Sequence, residues 1–374
     1  MSLKKTLEGL LKSHRYKGVC KGYLSLYKKI ERQNPGITTT PCDGEQEWLE
    51  KWRKYDKNVS VCSYRIFHKY IGNELNIMPL ELCAGMIEPV LNLENYRAYY
   101  NDKNAYDLIF KDFRRPKAWL RNIGGICYDG NYNVVGADFD FGIIDCDALI
   151  VKPTRDCSGH GVRMFEKRGS EFVDKGGELL DYKFLHSTYH ENFIVQSKLK
   201  QHVYMAQFNE TSLNTLRVVT YRSVKNGYVH VIDSMIRIGA KGACVDNAHA
   251  GGMFVGIDVN DGKLGKYACN WLGETKNTFN DIRFDTNEFI IPNFEAVEDF
   301  AVRVSESIIH QNLVALDIAL DENGEPVLIE TNCGGFSAWL FQFTTGPVFG
   351  EFTDEIMEYC YQEYKKLQSN IFIY

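Results

Sequence analysis

The sequence contains no apolar run long enough to cross a membrane, for which a helix needs about 20 consecutive apolar residues. Residues 1–18 interrupt their apolar positions with charge every few residues. They also lack the continuous apolar stretch and the small-residue cleavage site of a signal peptide. We therefore expect a cytoplasmic protein with no membrane span.

Paired cysteines and a nucleophile motif are also missing. The 11 cysteines are scattered from Cys20 to Cys360, and no two of them have the C-x-x-C spacing of zinc or redox sites. This usage is typical of reduced, mostly buried thiols in a cytosolic protein. There is no G-x-S-x-G turn, and Cys157 and Cys333 are interpreted as packing thiols, so the sequence offers no evident nucleophilic side chain.

An excess of positive charge is the third absence. The 374 residues include 43 Lys and Arg against 49 Asp and Glu, a formal net charge of -6. This balance provides no general cationic surface for nucleic acid or an anionic membrane, although a local basic pocket remains compatible with it. The 44% hydrophobic content is that of a globular protein, for which two or three coupled domains are expected.

The apolar pattern divides the chain into a helical and a mixed part. Residues 1–110 show helix-period apolar positions, whereas short apolar runs with glycine and Asn-Gly turns follow from about residue 116. Turn chemistry predicts three hairpins, over residues 218–236, 253–268 and 313–330. Helices are predicted over 294–311 and 354–367, and the mixture with antiparallel hairpins predicts an α+β fold.

The third hairpin is predicted to pair two carboxylates. If Asn323-Gly324 form the centre of a two-residue turn, Asp317 lies directly opposite Glu330. Asn332 is two residues beyond Glu330, so the period of a strand places it on the same face. Like charges opposite one another destabilise a strand pair, and the flanking residues are apolar, so a cation should bind there.

Two carboxylates and an amide oxygen are hard ligands of the kind that magnesium prefers. The sequence therefore predicts a magnesium site at Asp317, Glu330 and Asn332. The alternative is that Asp317 and Glu330 are ordinary surface residues on a solvated face.

A glycine-containing loop follows a short apolar run that ends in Lys152. Its Ser-Gly-His-Gly sequence, residues 158–161, allows the backbone to approach a phosphate closely, and Lys152 supplies a positive charge. The G-K-[ST] ending of a P-loop is absent and residues 162–165 favour a strand, so we expect a strand-loop-strand flap. The alternative is a simple glycine-bearing hairpin turn, in which His160 faces solvent.

Together these segments resemble an ATP-grasp enzyme. The resemblance rests on the Lys152 strand and its loop, residues 193–199 (FIVQSKL), and the Asp317, Glu330 and Asn332 set, in the order typical of that superfamily. Residues 212–220 (SLNTLRVVT), 245–252 (VDNAHAGG) and 101–104 (NDKN) resemble its sugar-transfer-associated branch, whose members are linked to bacterial surface polysaccharide synthesis. This chain has threonine between Glu330 and Asn332, where the family often has glycine.

The resemblance implies an ATP-grasp fold with two α+β subdomains that enclose the nucleotide, preceded by a mainly helical region. The corresponding divisions are residues 1–100, 101–200 and 201–374. ATP and magnesium are the implied cofactors. Implied nucleotide contacts are Lys103, Lys152, Ser158, Gly159, His160, Gly161, Gln196, Ser197, Lys198 and Leu199. The main chain of the last four would lie against adenine, and the loop 156–162 would close over the phosphates.

Two arginines are implied near the transferred phosphoryl group, Arg217 and Arg237. An ideal two-residue turn at Asn226-Gly227 places Arg217 opposite Ile236, on the face away from Arg237. Either the turn is longer, or a bulge intervenes, or only one arginine serves, in which case Arg217 is preferred. Asn214 and Asn247 either order a substrate or cap turns, and His249 is a weaker candidate for an acid or base.

The implied activity is ATP-dependent joining of a carboxylate to an amine through an acyl phosphate. The expected substrates are a small-molecule or glycan-linked carboxylate, such as a sugar acid, and an amine or amino acid. No nucleic-acid partner is expected, and a homodimer is compatible with the sequence. Two alternatives remain: a kinase that phosphorylates a sugar hydroxyl, and a nucleotide-binding regulator of a glycan-assembly complex.

Overall fold

The computed structural model describes residues 3–155, 161–243, 246 and 251–366. It has the α+β architecture that the sequence predicts, with a helical N-terminal region followed by two large antiparallel sheets. All helices and strands below belong to this described part of the chain.

The N-terminal region is built from short helices after one long one. Ser60 caps the third helix by accepting a hydrogen bond from Cys62 N at 3.2 Å, an arrangement that satisfies an otherwise unpaired N–H group. A π-helical turn, Cys83–Ile87, joins the fourth and fifth helices, and a 3-10 turn, Lys103–Ala105, follows the sixth. The helices are α1 Leu3–Gln33, α2 Glu45–Trp52, α3 Val61–Ile71, α4 Leu80–Leu82, α5 Glu88–Leu91, α6 Glu94–Asn101 and α7 Tyr106–Ile109.

The first sheet has six strands and its own core. Its spatial order is second, first, sixth, third, fourth and fifth strand along the chain. A helix, α8 Tyr182–Tyr189, packs Phe184 and Leu185 against this sheet and is capped by Asp181, which accepts from Phe184 N at 2.6 Å. The strands are β1 Ala118–Ile123, β2 Ile126–Asp129, β3 Ala148–Pro153, β4 Arg163–Arg168, β5 Glu171–Asp174 and β6 Phe193–Ser197.

The second sheet has seven strands and carries the predicted carboxylates. The short helix α9 Val203–Ala206 precedes this sheet. Its strands are β7 Thr215–Arg222, β8 Val229–Ile238, β9 Met253–Ile257, β10 Ala268–Cys269, β11 Thr275–Lys276, β14 Leu313–Leu320 and β15 Pro326–Asn332. Two further strands, β12 Thr278–Phe279 and β13 Ile282–Arg283, form a separate pair. The order in the sheet is β11, β10, β9, β8, β7, β14, β15. The remaining helices are α10 Phe294–Glu306, α11 Ala338–Gln342 and α12 Thr353–Lys366.

Strand β14 is buried along its whole length because both faces of the seven-stranded sheet are covered. Val314 and Leu316 pack with α10, whereas Leu313 and Ala315 pack in the core that the N-terminal helices share with α11 and α12. Since successive side chains alternate between faces, Asp317 belongs to the face that the N-terminal helices cover.

The predicted secondary structure is largely confirmed. The first and third hairpins form as β7–β8 and β14–β15. The second is confirmed only in part, because β9 meets β10 through the pair Phe254 and Cys269 after an irregular connection. The predicted helix 294–311 ends earlier, at Glu306, and the last predicted helix corresponds to α12, which begins at Thr353.

The division at residues 100 and 200 stays a prediction. The six strands of the first sheet lie between Ala118 and Ser197, and the seven strands of the second lie between Thr215 and Asn332. The helices before residue 100 share one hydrophobic core with the C-terminal helices, through side chains such as Trp48, Phe341 and Met357. Within the described residues, no helix has both the length and the apolar character required to cross a bilayer.

Asn92 joins the N-terminal helices to the second sheet. Its side chain is 1% exposed and donates to Leu313 O at 2.6 Å and to Cys333 O at 2.7 Å. Its oxygen accepts from Asn312 N at 3.1 Å and from Leu313 N at 3.0 Å. All four hydrogen-bonding positions of the amide are therefore satisfied by main-chain groups.

We expect Asn92→Ala to lower the free energy of unfolding by roughly 2–4 kcal/mol, because it leaves several buried main-chain groups unsatisfied. Urea denaturation followed by circular dichroism measures the change. The matched control is Asn95→Ala, an exposed position on α6, where we expect a change of no more than about 0.5 kcal/mol. Equal effects at the two positions would contradict the prediction.

Candidate active site

Asp317 and Glu330 face one another on neighbouring strands, as predicted. The route to this register differs from the predicted one. From the turn, Leu320 pairs with Pro326 and Ile318 with Leu328, which is one residue out of the register of a two-residue turn. A bulge between Asp317 and Ile318 then restores it, so the predicted carboxylate pair is confirmed although its predicted turn is wrong.

The same kind of irregularity places both arginines on one face. Strand β7 meets β8 with Arg222 opposite Val229, which is a longer turn than the ideal one, and a bulge follows between Val219 and Thr220. Arg217 consequently lies opposite Met235, two residues from Arg237. The longer turn and the bulge both occur, so Arg217 and Arg237 reach the same carboxylate.

Asp317 lies between the two guanidinium groups and is 3% exposed. Arg217 donates from Nε to Oδ1 at 2.8 Å and from Nη2 to Oδ2 at 2.9 Å, and Arg237 donates from Nη1 to Oδ2 at 2.8 Å. Burial would raise the pKa of Asp317, but the two arginines outweigh burial and hold this pKa well below its usual range. Asp317 is therefore not a surface residue on a solvated face.

Asp246 is a member of the site that the sequence analysis missed. It accepts from Arg237 Nη2 at 2.9 Å, and from the main-chain N–H and the hydroxyl of Thr215. Burial raises the pKa of Asp246, with Asp317 adding to the effect and Arg237 opposing it. The available signal was its position in the segment 245–252, where only Asn247 and His249 were singled out.

Two lysines complete the charge cluster. Lys103, 4% exposed, donates from Nζ to Glu330 Oε1 at 2.8 Å. Lys152 lies on β3, in the other sheet, and burial lowers its pKa to about 8. The Lys103 ammonium lowers the pKa of Lys152 further, whereas Glu330 and Asp317 oppose this, so these four groups lie within electrostatic range. The two sheets therefore bring their predicted site residues together.

The predicted strands of the glycine flap form. Val151 on β3 pairs with Arg163 on β4, and Gly161 has a positive φ of 70° in the connection. Tyr189 donates its hydroxyl to Gly161 O at 2.7 Å, which ties the end of the loop to α8. The predicted contacts Ser158, Gly159 and His160 lie outside the described residues, as do Asn247 and His249.

The segment predicted to contact adenine, residues 196–199, comprises the end of the interior strand β6 and the two residues after it. Gln196 is buried in β6, and Ser197 Oγ accepts from Trp119 Nε1 at 2.8 Å. Ser197 N and Lys198 N donate to Lys117 O and Ala148 O. Leu199 follows outside the strand and is half-buried. The chain then meets the second sheet through Gln201 and Asp321.

Two other residues singled out in the sequence, Asn214 and Cys333, are buried. Asn214 is 0% exposed and donates to Met205 O at 2.9 Å and to Asn209 O at 2.7 Å, contacts that brace the loop before β7. Its oxygen has no partner within the described residues, so a role toward substrate stays a prediction. Cys333 is buried, and burial raises its pKa to about 12, as expected of a packing thiol.

Residues 132–357 match the sugar-transfer associated ATP-grasp family, which is more than half of the chain. The chain belongs to the sugar-transfer associated ATP-grasp family. No curated protein is significantly similar to it in sequence.

Three solved structures of ligases match this chain at low sequence identity and with TM-scores below 0.5. L-amino acid ligase from Bacillus licheniformis is 14% identical with a TM-score of 0.37, covering 68% of this chain and 47% of that one. D-alanine–D-alanine ligase from Bacillus anthracis is 12% identical with a TM-score of 0.37, covering 71% and 69%. D-cycloserine synthetase DcsG is 10% identical with a TM-score of 0.39, covering 70% and 71%. The chain thus spans about half the length of the first of these, and its family assignment rests on the sequence match.

ATP-grasp enzymes use ATP and typically magnesium, and the donor set fits this ion. A carboxylate offers about four acceptor positions, and within the described residues three of those on Asp317 are used by the arginines, which leaves one on Oδ1. Asn332 Nδ2 is buried without a partner among these residues, and rotation of its amide would present the oxygen there. Together with Glu330 these are hard oxygen ligands.

The pKa of Lys152 predicts how nucleotide affinity depends on pH. A lysine with a pKa of about 8 is charged at pH 7 and mostly neutral at pH 9, so its attraction for phosphate is present below pH 8 and is lost above it. We expect the ATP dissociation constant to rise by about tenfold between pH 7 and pH 9. Bound phosphate raises the pKa of Lys152, and the dissociation constant stops rising once the pH exceeds this raised pKa.

Isothermal titration calorimetry at the two pH values measures this change. Lys152→Arg serves as the matched variant, because a guanidinium stays charged over the whole range. We expect its affinity to change less than about twofold over that range. A wild-type dissociation constant that is the same at pH 7 and pH 9 would refute this account of Lys152.

Proposed function

We propose that this protein is an ATP-dependent carboxylate–amine ligase that forms an amide through an acyl phosphate. The observation that carries the proposal is the charge cluster between the two sheets. Its four cations, Lys103, Lys152, Arg217 and Arg237, exceed its three carboxylates, Asp246, Asp317 and Glu330. A preorganised cluster with net positive charge suits the phosphates of a nucleotide, whose transfer depends mainly on positioning and charge neutralisation.

The arrangement supports a particular placement of ATP. Adenine would lie at the main chain of Gln196 to Leu199, where the first sheet ends, and the loop 156–162 would close over the phosphates. Lys152, from the first sheet, and Lys103, from the segment between α6 and α7, would contact phosphate oxygens. The magnesium ligands would be Asp317, Glu330 and Asn332. When bound, the ion would neutralise phosphate charge and make the γ-phosphorus more electrophilic.

Arg217 is the better placed of the two arginines to contact the transferred group. Arg237 uses Nη1 for Asp317 and Nη2 for Asp246. Arg217 uses Nε and Nη2 for Asp317, which leaves Nη1 available within the described part of the chain. In this proposal Asp317 holds both guanidinium groups in position, and Arg217 Nη1 donates to an oxygen of the phosphoryl group in transit.

The chemistry then requires two displacements. A carboxylate oxygen of the first substrate attacks the γ-phosphorus, and the bond from that phosphorus to the bridging oxygen breaks to release ADP. The amine nitrogen attacks the acyl carbon, the bond to the phosphate oxygen breaks, inorganic phosphate leaves and the amine releases a proton to solvent. The lysines and Arg217 stabilise negative charge in the first displacement, and no covalent bond to the protein forms.

The engagement of all three carboxylates favours a ligase over a sugar kinase. A substrate carboxylate is already ionised at neutral pH, whereas a sugar hydroxyl needs a general base. Within the described residues, Asp317 and Asp246 are held by arginines and Glu330 by Lys103. We propose that the carboxylate belongs to a sugar acid, free or glycan-linked, and that the product serves surface polysaccharide synthesis. The sugar-transfer association in the family's description supports a substrate that contains a sugar.

Hydroxylamine trapping tests the reaction type. We expect incubation with ATP, magnesium, pooled uronic acids and hydroxylamine to release ADP and to yield a hydroxamate, detected by mass spectrometry, because only an acyl phosphate acylates hydroxylamine. ADP release without hydroxamate, accompanied by a phosphorylated sugar, would identify a kinase. Tight ATP binding without ADP release would indicate a nucleotide-binding regulator.

Glu330→Gln tests the magnesium site with little change in volume. We expect this substitution to raise the magnesium concentration required for half-maximal ADP release by at least about tenfold and to lower the maximal rate by about 100-fold, because a charged ligand is lost. The control is Glu325→Gln, at the exposed turn of the same hairpin, which should match the wild type. An unchanged magnesium requirement in Glu330→Gln would remove Glu330 from the site.

A further inference from the structure

Arg97, beside the proposed site, is a cation that has no hydrogen-bond partner in the part of the chain that the structure describes. It is half-buried on α6, and its Nε is buried without a partner among the described residues. Across residues 3–155, 161–243, 246 and 251–366, its guanidinium forms no hydrogen bond and no salt bridge. Buried polar groups in folded proteins are nearly always paired with protein, water or ligand. An unpaired arginine fork that is partly open to solvent therefore suggests that a bound group completes it.

Contacts between residues 97–103 and residues 330–334 set the position of Arg97. Lys103 contacts Glu330, Asn101 Oδ1 accepts from Cys333 N at 3.2 Å, and Arg97 lies against Gly334. The order along one segment is opposite to that along the other. Gly334 is two residues beyond Asn332, so their Cα atoms are separated by at most about 7 Å. Arg97 thus lies next to the proposed magnesium ligands, against the segment that follows them in the chain.

Gly334 gives Arg97 the room it occupies. A Cβ atom built on this glycine would lie 2.4 Å from Cζ and 2.6 Å from Nε of Arg97. Any larger residue would therefore displace the guanidinium. The glycine allows the arginine to lie directly against the main chain that follows Asn332.

Glu88 is a carboxylate within electrostatic range of Arg97, but within the described residues the two form no salt bridge or hydrogen bond. Glu88 is 7% exposed, and its Oε2 accepts from Gly335 N at 2.6 Å. Burial raises the pKa of Glu88, and the charges of Arg97 and Arg15 only partly oppose this. Glu88 thus fixes the loop on which Arg97 rests and leaves the hydrogen-bond donors of Arg97 available.

We propose that Arg97 binds a carboxylate of the amine substrate, so that this substrate is an amino acid and not a neutral or purely cationic amine. This inference rests on the proposed ligase activity. The reacting carboxylate belongs beside the γ-phosphate, where four other cations are already grouped. A separate arginine fork beside the main chain that follows Asn332 suits a second carboxylate, since the paired N–H groups of an arginine match the two oxygens. The amine nitrogen of the bound amino acid then remains free to attack the acyl carbon.

Binding is tested without turnover by chemical modification. Phenylglyoxal labels accessible arginines, and the labelling rate of the peptide that contains Arg97 is followed by mass spectrometry on the full chain with ATP analogue and magnesium. We expect a pool of amino acids to slow the labelling of Arg97 by about tenfold at ten times the dissociation constant. The methyl esters of the same amino acids, which keep the amine and lose the charge, should not slow it.

The outcomes of this experiment show whether Arg97 binds the amino acid, the other substrate or neither. Slower labelling with amino acids alone supports the inference. No protection by any pool overturns it, and protection by uronic acids in place of amino acids also overturns it, because the anion would then come from the other substrate. ADP release by the wild type with the same pools is measured in parallel. ADP release without protection refutes the role of Arg97 alone, whereas protection without ADP release refutes the ligase proposal alone.

Two substitutions test the consequence for catalysis. We expect Arg97→Gln to raise the KM for the amino acid by at least about tenfold and to leave the KM for ATP within about twofold, because one charge-assisted contact is lost. Gly334→Ala should raise the same KM, since it displaces the guanidinium. Arg168→Gln, at an exposed position on β4, is the matched control. A rise in both KM values alike, with lowered thermal stability, would indicate a structural role and contradict the inference.

Discussion

The buried carboxylate of Asp317, held between Arg217 and Arg237, is the constraint on which the site depends. A charge removed from water is costly unless it is paired and hydrogen-bonded, and losing one partner of such a group is strongly destabilising. Three adjacent strands must therefore keep one register, so that both guanidinium groups reach the same carboxylate. The bulge between β7 and β8 contributes to this register, and a second bulge, between β14 and β15, sets Glu330 opposite Asp317. Bulges that redirect side chains are common near active sites.

The N-terminal helices contribute to the same site as well as to the core. Asn92 binds the main chain of β14 and of the segment after β15. The segment that follows supplies Lys103 to Glu330, Asn101 to Cys333 and Arg97 to Gly334. These contacts fix the acidic strand from one side, while Lys152 approaches it from the first sheet. Residues far apart in sequence thus neutralise one another, and the four cations of the cluster exceed its three carboxylates.

Several elements could be predicted because their signals are local. Turn chemistry and alternating apolar residues gave the hairpins β7–β8 and β14–β15, and a spacing of two fixed Glu330 and Asn332 on one face. The pairing of Asp317 with Glu330 was predicted from the wrong turn, since an unpredicted bulge offset an unpredicted turn length. Bulges and turn lengths depend on what the sheet packs against, which no window of the sequence contains. Asp246 was overlooked for the same reason, because its partners Arg237 and Thr215 come from two other strands.

The sequence by itself determined the α+β class, the order of the main elements and the residue types at the acidic strands, because propensity, period and turn residues act over a few positions. It also carried the resemblance to the family that the match over residues 132–357 shows. Only the tertiary structure decided that both arginines bind Asp317, that Lys103 reaches Glu330, and that Arg97 lies against Gly334. Those facts depend on long-range register and burial, which are set by how the sheets and helices pack and not by any local pattern.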